Sequence, residues 1–352
     1  MNSFSLSQMG WKPFFQQQLS LTEWEQNIPA RIMAQHRSGF VLISERGESH
    51  LSITPNLPTL TVGDWILLNQ EMQFFRLLDR NSLFSRKAAG NKVSEQMLAS
   101  NIDTVFIVCS LNQNFNLNRI ERYLSLVKEA SVQAVVVLTK RDCCISVEDY
   151  LQQVRSIDPL LIVEAVNSLD SVSVSVLSDW CDIGQTIAFL GSSGVGKSTL
   201  INTLMTDQVR NTGSIRNEDA KGRHTTTGRS LHFMPTGAIL MDTPGMRELQ
   251  LFDCESGINE VFSDISQLAM QCQFSDCRHE TEPGCAVLVA IETGEIEQRR
   301  LFNYNKMLKE QAFNSASLGE KRAKDRALGR FYRTVQKESH QLKKNSLQRK
   351  KR

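Results

Sequence analysis

A chain of 352 residues, 41% hydrophobic and 22% charged, is long enough for two or three domains and reads as an ordinary soluble protein. It begins MNSFSLSQMGWKPFF, with no charged leader before an apolar run, and no stretch approaches the roughly 20 apolar residues that cross a bilayer; the expectation is a cytoplasmic protein with no membrane partner. The net charge of +2 conceals an asymmetry, because from Gly319 onward 13 Lys or Arg stand against 3 acids, a basic tail of +10 on a remainder of −8.

In chain order, residues 1–28 form an N-terminal extension. Short β-rich runs at 39–44, 48–53 and 64–68, punctuated by turn signals at Arg46-Gly47 and Val62-Gly63-Asp64, predict a small barrel within residues 29–95. Periodicity alone does not separate an OB-type barrel from an SH3-like one. After Asn101 the texture changes. Apolar runs at 104–110, 132–138, 161–166, 186–190 and 237–241 alternate with helical stretches such as 118–130, the pattern of a doubly wound parallel sheet across residues 96–251. Residues 252–318 hold a Cys/His cluster and a helical pattern at 295–313, and residues 319–352 are the basic tail.

Gly191-Ser192-Ser193-Gly194-Val195-Gly196-Lys197-Ser198 fits G-x-x-x-x-G-K-[ST]; it follows the apolar run 186–190 and opens a helix-compatible run at Thr199, the context this phosphate loop requires. Glycines let backbone N–H groups wrap phosphate oxygens at a helix N-terminus. Lys197 is expected to reach the β- and γ-phosphates and Ser198 to ligate Mg²⁺. Some 45 residues on, Asp242-Thr243-Pro244-Gly245 ends an apolar run, placing a carboxylate beside the metal and a glycine where the γ-phosphate is sensed. Between them, the polar, glycine-flanked segment Gly222 to Arg229 has the character of a switch, with Thr225 or Thr226 closing the Mg²⁺ shell.

Thr139-Lys140-Arg141-Asp142 directly follows the run 132–138, about fifty residues before the phosphate loop. In an N-K-x-D motif the Asp accepts from guanine N1–H and the exocyclic amine while the Lys stem packs on the ring, so this tetrapeptide points to GTP. Asn167-Ser168, after the run 161–166, supplies a candidate loop for the guanine carbonyl. The base-reading motif thus precedes the phosphate loop.

That order, continued by Gly222-Arg223-His224-Thr225-Thr226-Thr227 and then Asp242 to Gly245, resembles the circularly permuted GTPases. With the flanking segments and Cys272-x4-Cys277-x-His279-x5-Cys285, the chain resembles the RsgA family (ribosome small subunit-dependent GTPase A) over essentially its whole length. The resemblance implies an α/β fold class: a circularly permuted P-loop GTPase domain flanked by an N-terminal OB-type β-barrel and a C-terminal, mostly α-helical zinc-binding domain. It also implies action late in maturation of the 30S subunit. One departure is Thr139, where the common motif has Asn.

A Ras-like enzyme orients its attacking water with a Gln after the D-x-x-G glycine, but here Met246 holds that position, so slow intrinsic turnover is expected. His224, beside the Mg²⁺ threonines and similar to the family's proposed catalytic histidine, is the candidate replacement, with Lys197, Thr225 and Thr226 completing the catalytic set. Cys272, Cys277, His279 and Cys285 supply four tetrahedral ligands and leave no open position, so one structural zinc per chain is expected. The tail, with Phe331 and Tyr332 among its charges, suits rRNA, although a plain solvated tail has the same composition. The sequence therefore reads as a monomeric GTP hydrolase that binds 30S rRNA in the GTP state and leaves on hydrolysis, stimulated by the subunit. The alternative is a GTP-gated RNA-binding module with incidental hydrolysis.

Overall fold

Residues that are apolar on both faces of a strand need cover on both sides, and this requirement organises the molecule. In the computed structural model, which describes residues 4–87, 95–206, 229–242, 251 and 253–316, the N-terminal extension forms two short helices, α1 (Pro13–Gln16) and α2 (Leu21–Gln26). Helix α2 starts at Ser20, which forms a reciprocal capping box with Glu23. Five strands come next: β1 (Ile28–Gln35), β2 (Gly39–Ser44), β3 (Gly47–Ser52), β4 (Trp65–Leu68) and β5 (Phe74–Leu77). Antiparallel β1 pairs with both β2 and β4, giving the spatial order β3-β2-β1-β4-β5, the five-stranded, partly open arrangement of an OB-type barrel. Ile32, Leu42, Trp65, Ile66, Leu67 and Leu68 are almost wholly buried in it. The turn before β4 rests on Gly63 (φ +96°), where a Cβ would lie 2.1 Å from the Ser100 carbonyl oxygen. Next to it, buried Asp64 accepts from Arg80 Nε at 2.6 Å and Ser100 Oγ at 2.6 Å.

A hairpin of β6 (Leu83–Lys87) and β7 (Glu95–Ser100) leads to the sheet predicted between residues 96 and 251. Its elements are β8 (Thr104–Ser110), α3 (Leu117–Glu129), β9 (Gln133–Thr139), α4 (Val147–Arg155), β10 (Ile162–Ala165), α5 (Ser171–Val174), β11 (Thr186–Leu190), α6 (Lys197–Thr206), β12 (Arg229–Phe233) and β13 (Ile239–Asp242). Strands β10-β9-β8-β11-β13 are parallel in that order. Alternate residues feed two cores: Phe106, Val108, Val135 and Val137 on one face, and Val105, Ile107, Val136 and Leu138 on the other. This is the doubly wound sheet expected from the sequence. The chain runs outward from β8 to β10 and then returns to β11 on the opposite side of β8. That reversal creates a crevice at the carboxyl ends of the strands.

The sheet does not stop at β13. Antiparallel β12 pairs with β13 and also with barrel strand β1, at Ala34↔Ser230 and Gln35↔Arg229. Arg31, also on β1 and 1% exposed, reinforces this junction. It donates to the Met9 carbonyl at 2.7 Å, the Asn101 carbonyl at 3.2 Å and Thr186 Oγ1 at 2.8 Å.

Four helices complete the described chain: α7 (Glu255–Val261), α8 (Ser263–Ala269), α9 (Ala286–Glu292) and α10 (Gln298–Ser315). Helix α7 packs so closely on α3 that a Cβ at Gly257 would lie 2.1 Å from the Ser125 carbonyl oxygen. Helix α10 is joined to α3 by ion pairs from Arg299 and Arg300 to fully buried Glu121.

Candidate nucleotide site and metal cluster

Because β9, β10, β11 and β13 are parallel, the segments that continue from them leave the sheet at one edge. Thr139 closes β9 with no exposed surface, and its Oγ1 donates to the Val195 carbonyl at 2.5 Å. Lys140 adopts a left-handed conformation (φ +60°) and its Nζ donates to the Gly194 carbonyl at 3.2 Å. The first half of the base-reading motif is therefore bonded to the middle of the phosphate loop. Arg141 and Asp142 lie in a single 3-10 turn and are exposed, and the Arg141 N–H donates to the Val166 carbonyl at 3.3 Å. Cys143 donates its thiol to Asp142 Oδ2 at 3.4 Å, and this bond pushes the Cys143 thiol up from its ordinary value.

Asn167 builds the neighbouring turn: its Oδ1 accepts from the Leu169 N–H at 3.0 Å and its own N–H donates to Ser173 Oγ at 2.9 Å. Ser168 is 7% exposed, and its Oγ has no hydrogen-bond partner among the described residues. A Cβ on Gly196 would lie 3.5 Å from Thr139 Oγ1 and 3.6 Å from Ser168 Oγ. Three segments far apart in sequence thus meet at one point.

The phosphate loop requires glycine first at Gly191, where φ is +149° and a Cβ would lie 2.4 Å from the Val108 carbonyl oxygen. Lys197 opens α6 and is buried; its Nζ donates to the carbonyls of Gly191 at 2.6 Å and Ser192 at 2.5 Å. Ser193, Gly194 and Ser198 are exposed, and the carbonyl of half-buried Thr199 accepts from Thr203 Oγ1 at 3.1 Å. Asp242 ends β13 with its side chain exposed. A lysine ammonium, backbone N–H groups at a helix start, and hydroxyl and carboxylate oxygens suit a nucleotide phosphate and a hard divalent cation. His224, Thr225, Thr226 and Gly245 lie outside the described residues.

One neighbour was missed from sequence: Arg119 Nη1 donates to Ser192 Oγ at 2.9 Å. Its signal was available in part, since Asn116 is an N-cap and an arginine three residues later stands on the first turn of α3, at the end from which β8 emerges.

The second constellation forms between α8 and α9. The ligand atoms of Cys272, Cys277, His279 and Cys285 all lie within 4.8 Å of one another. Cys272 Sγ is 3.8 Å from Cys285 Sγ, and His279 Nδ1 lies 3.6 Å and 3.3 Å from those two sulfurs. Tetrahedral bonds of ~2.3 Å to sulfur and ~2.0 Å to nitrogen give edges of ~3.8 and ~3.5 Å, so the donor set fits one four-coordinate ion. Burial holds the His279 imidazole below its ordinary pKa, favouring the neutral ring that ligates. At Cys272 burial works against ionisation, but the Val287 and Ala286 N–H groups at the start of α9 and the Cys285 and Cys277 side chains outweigh it and bring the thiol down.

The profile of the RsgA GTPase family matches residues 77–252, a span that holds both the base-reading motif and the phosphate loop. A curated relative from Vibrio parahaemolyticus, small ribosomal subunit biogenesis GTPase RsgA 2, is 59% identical over 330 residues, covering 94% of this chain and 92% of the relative. The chain belongs to the RsgA family. It is a GTPase, and its permuted motif order accords with that membership. The RsgA protein of Mesorhizobium japonicum is 42% identical over 320 residues, covering 89% of this chain and 92% of its own. Among solved structures, YjeQ from Thermotoga maritima aligns with a TM-score of 0.58 at 24% identity, covering 81% of this chain and 98% of that one. YloQ, described as a circularly permuted GTPase, aligns with a TM-score of 0.58 at 22% identity over 82% and 96%; both likenesses concern the fold. An ABC transporter profile also matches, at residues 178–328. That span includes the phosphate loop, an element common to P-loop proteins, and leaves out Thr139 to Asp142, which the RsgA profile includes. Among the described residues no helix is long and apolar enough to cross a membrane.

Proposed function

We propose that this chain hydrolyses GTP during maturation of the small ribosomal subunit, binding the 30S particle and its rRNA in the GTP state and leaving on hydrolysis. The observation that carries the site assignment is the bond from Thr139 Oγ1 to the Val195 carbonyl, which joins two motifs whose order in the chain is reversed. The names of the relatives carry the ribosomal assignment. In this reading Asp142 accepts from guanine N1–H and amine, Lys140 packs along the base, and the loop at Asn167 and Ser168 faces the guanine carbonyl. Backbone N–H groups of Gly191 to Thr199 cradle the phosphates, and Lys197 neutralises the charge that builds on the β- and γ-oxygens. Ser198 and Asp242, with Thr225 or Thr226, would hold Mg²⁺, which would supply positive charge to the same phosphate oxygens. Gly245 senses the γ-phosphate, and His224 orients the attacking water in place of the missing Gln.

The Cys3His set is assigned to one structural zinc, because four protein ligands complete a tetrahedron. The proposed division is an extension at 1–28, an OB-type barrel at 29–95, the permuted GTPase domain at 96–251, the zinc domain at 252–318 and a basic tail at 319–352, in a monomeric cytoplasmic protein. Measuring GTP turnover with and without purified 30S subunits tests the proposal. Stimulation of about tenfold or more is expected. Equal rates would leave a GTP-gated RNA-binding module with incidental hydrolysis.

A further inference from the structure

Ser192 is bound on two sides. Its hydroxyl accepts from Arg119 Nη1 at 2.9 Å, and its carbonyl, with that of Gly191, holds the Lys197 ammonium at 2.5 and 2.6 Å. The lysine of such a loop reaches the β- and γ-phosphates, so the Gly191–Ser192 end of the loop lies toward the phosphate that is cleaved. The Arg119 guanidinium backs that end.

Arg119 in turn belongs to a helix that is clamped elsewhere. Two residues along α3, fully buried Glu121 accepts from Arg299 at 3.0 and 3.1 Å, from Arg300 at 3.0 Å and from Asn303 at 2.6 Å, all on α10. Arg299 also donates to Asn118 Oδ1 at 2.5 Å, and Arg122 forms two bonds of 2.7 Å with Glu310. Arg300 reaches on to Asp264 of α8 at 2.7 Å. A carboxylate buried among these donors tolerates little sliding, because losing one partner leaves charge buried and uncompensated. Helix α3 is therefore held by the C-terminal helices along one side and holds the phosphate loop from its first turn.

We propose that Arg119 is a positioning residue for GTP hydrolysis. It fixes the Ser192 end of the loop, and through it the Lys197 ammonium, at a position set by the α3–α10 ion network. Docking of the C-terminal helices on a partner then acts on the rate of γ-phosphate cleavage more than on nucleotide affinity. This rests on the GTPase assignment; a wild-type chain without GTP turnover would remove that assignment itself, whereas the variants bear on Arg119 and its network alone.

The test uses the full chain with Arg119→Ala, Arg119→Lys, Ser192→Ala and the Arg119→Ala/Ser192→Ala pair, measuring steady-state GTP hydrolysis and GDP affinity. Arg119→Ala is expected to lower kcat about tenfold, equivalent to ~1.4 kcal/mol, with KM and GDP affinity within about twofold. Ser192→Ala should reproduce the loss, the double variant should be no worse than either single, and Arg119→Lys should recover part of the rate. Losses that add in the double variant, or GDP affinity falling in step with kcat, would overturn the proposal. Glu121→Gln supplies the distal arm: turnover stimulated by 30S subunits should fall further than basal turnover. Equal falls would break the link to α10. If that variant does not fold, the double-variant cycle still decides the role of Arg119.

Discussion

Replacing Thr139 by Val removes one hydroxyl and keeps nearly the same shape. Thr139 is wholly buried, and its Oγ1 is the donor to the Val195 carbonyl at 2.5 Å, with the Cys109 carbonyl at 3.4 Å as a second acceptor. The valine methyl would leave the Val195 carbonyl facing an apolar group, a loss of ~1–3 kcal/mol. Part of that loss falls on the folded protein in every state and lowers its urea midpoint. The part that falls on loop geometry weakens nucleotide binding, because Val195 lies between Gly194 and Gly196 in the cradle. If ~1.4 kcal/mol of the loss falls on loop geometry, GTP affinity should fall about tenfold. The preference for GTP over ATP should survive, since Asp142 is exposed and its side chain is bonded to Cys143. Titration of the variant with a fluorescent GTP analogue, then competition with ATP, measures both quantities. A lowered midpoint with unchanged affinity would show that the bond serves stability alone, and ATP competing as well as GTP would show that Thr139 itself reads the base.

Three other perturbations probe the metal cluster, the barrel junction and the contact between α3 and α10. Chelation of the metal, or Cys285→Ser, should release the segment between α8 and α9 and lower helical ellipticity, with one zinc per chain found by elemental analysis of the untreated protein; intact ellipticity after complete metal loss would contradict a structural role. Arg31→Met leaves the Met9 and Asn101 carbonyls and Thr186 Oγ1 without their buried donor and should cost ~1–3 kcal/mol for each acceptor left unsatisfied in chemical denaturation. Burial lowers the Arg31 pKa only to about 10, so this loss should be the same at pH 6 and pH 8. Glu310 is held below the usual carboxylate range by its bonds to Arg122; its folded-state pKa is depressed, so its contribution is complete above the ordinary value of 4.5 and is lost as pH falls through the lower, folded value. Glu310→Gln should flatten the acid limb of a stability–pH profile, and an unchanged limb would assign that dependence to other carboxylates.

Strands β8 and β11 begin and end where the apolar runs begin and end, because a strand buried on both faces admits no polar interruption. At β13 the apolar run starts at 237, whereas the strand starts at Ile239. Gly237, at φ +87°, instead makes the β12–β13 turn by donating its N–H to the Met234 carbonyl. Strand β12 was not anticipated: Arg229–Phe233 is only partly apolar, and it is a strand because β13 and β1 supply partners on its two edges. The hairpin of β6 and β7 escaped for a related reason, since Leu83–Lys87 and Glu95–Ser100 mix polar and apolar residues without a clean period of two. The phosphate loop and the Cys/His cluster were legible because their spacing is local. The contacts from Thr139 to Val195 and from Arg119 to Ser192 join residues 56 and 73 positions apart, and no local pattern encodes them.

The permuted order has a mechanical consequence that the sheet makes explicit. In this chain the proposed switch, Gly222 to Arg229, lies in sequence after α6, which opens on Lys197, and ends at the start of β12, whose first two residues pair with Gln35 and Ala34 of barrel strand β1. A displacement that changes the tilt of β12 must be taken up by β1, because the two share backbone hydrogen bonds and the buried Arg31 fixes β1 to Thr186 at the start of the phosphate-loop strand. On the other side of the nucleotide edge, the chain after Asp242 passes to α7, which is seated on α3 with Gly257 against Ser125. Had the base-reading strand come after the switches, as in the unpermuted order, a further strand and helix would separate them from α7. Permutation moves that strand to the front, so that in sequence β13 is followed by α7, while β12 pairs with barrel strand β1. A nucleotide-dependent shift of β12 would reach the barrel through its backbone pairing with β1, whereas one of α7 would reach α3 through the close approach of Gly257 to Ser125, and cutting one route should leave the other intact.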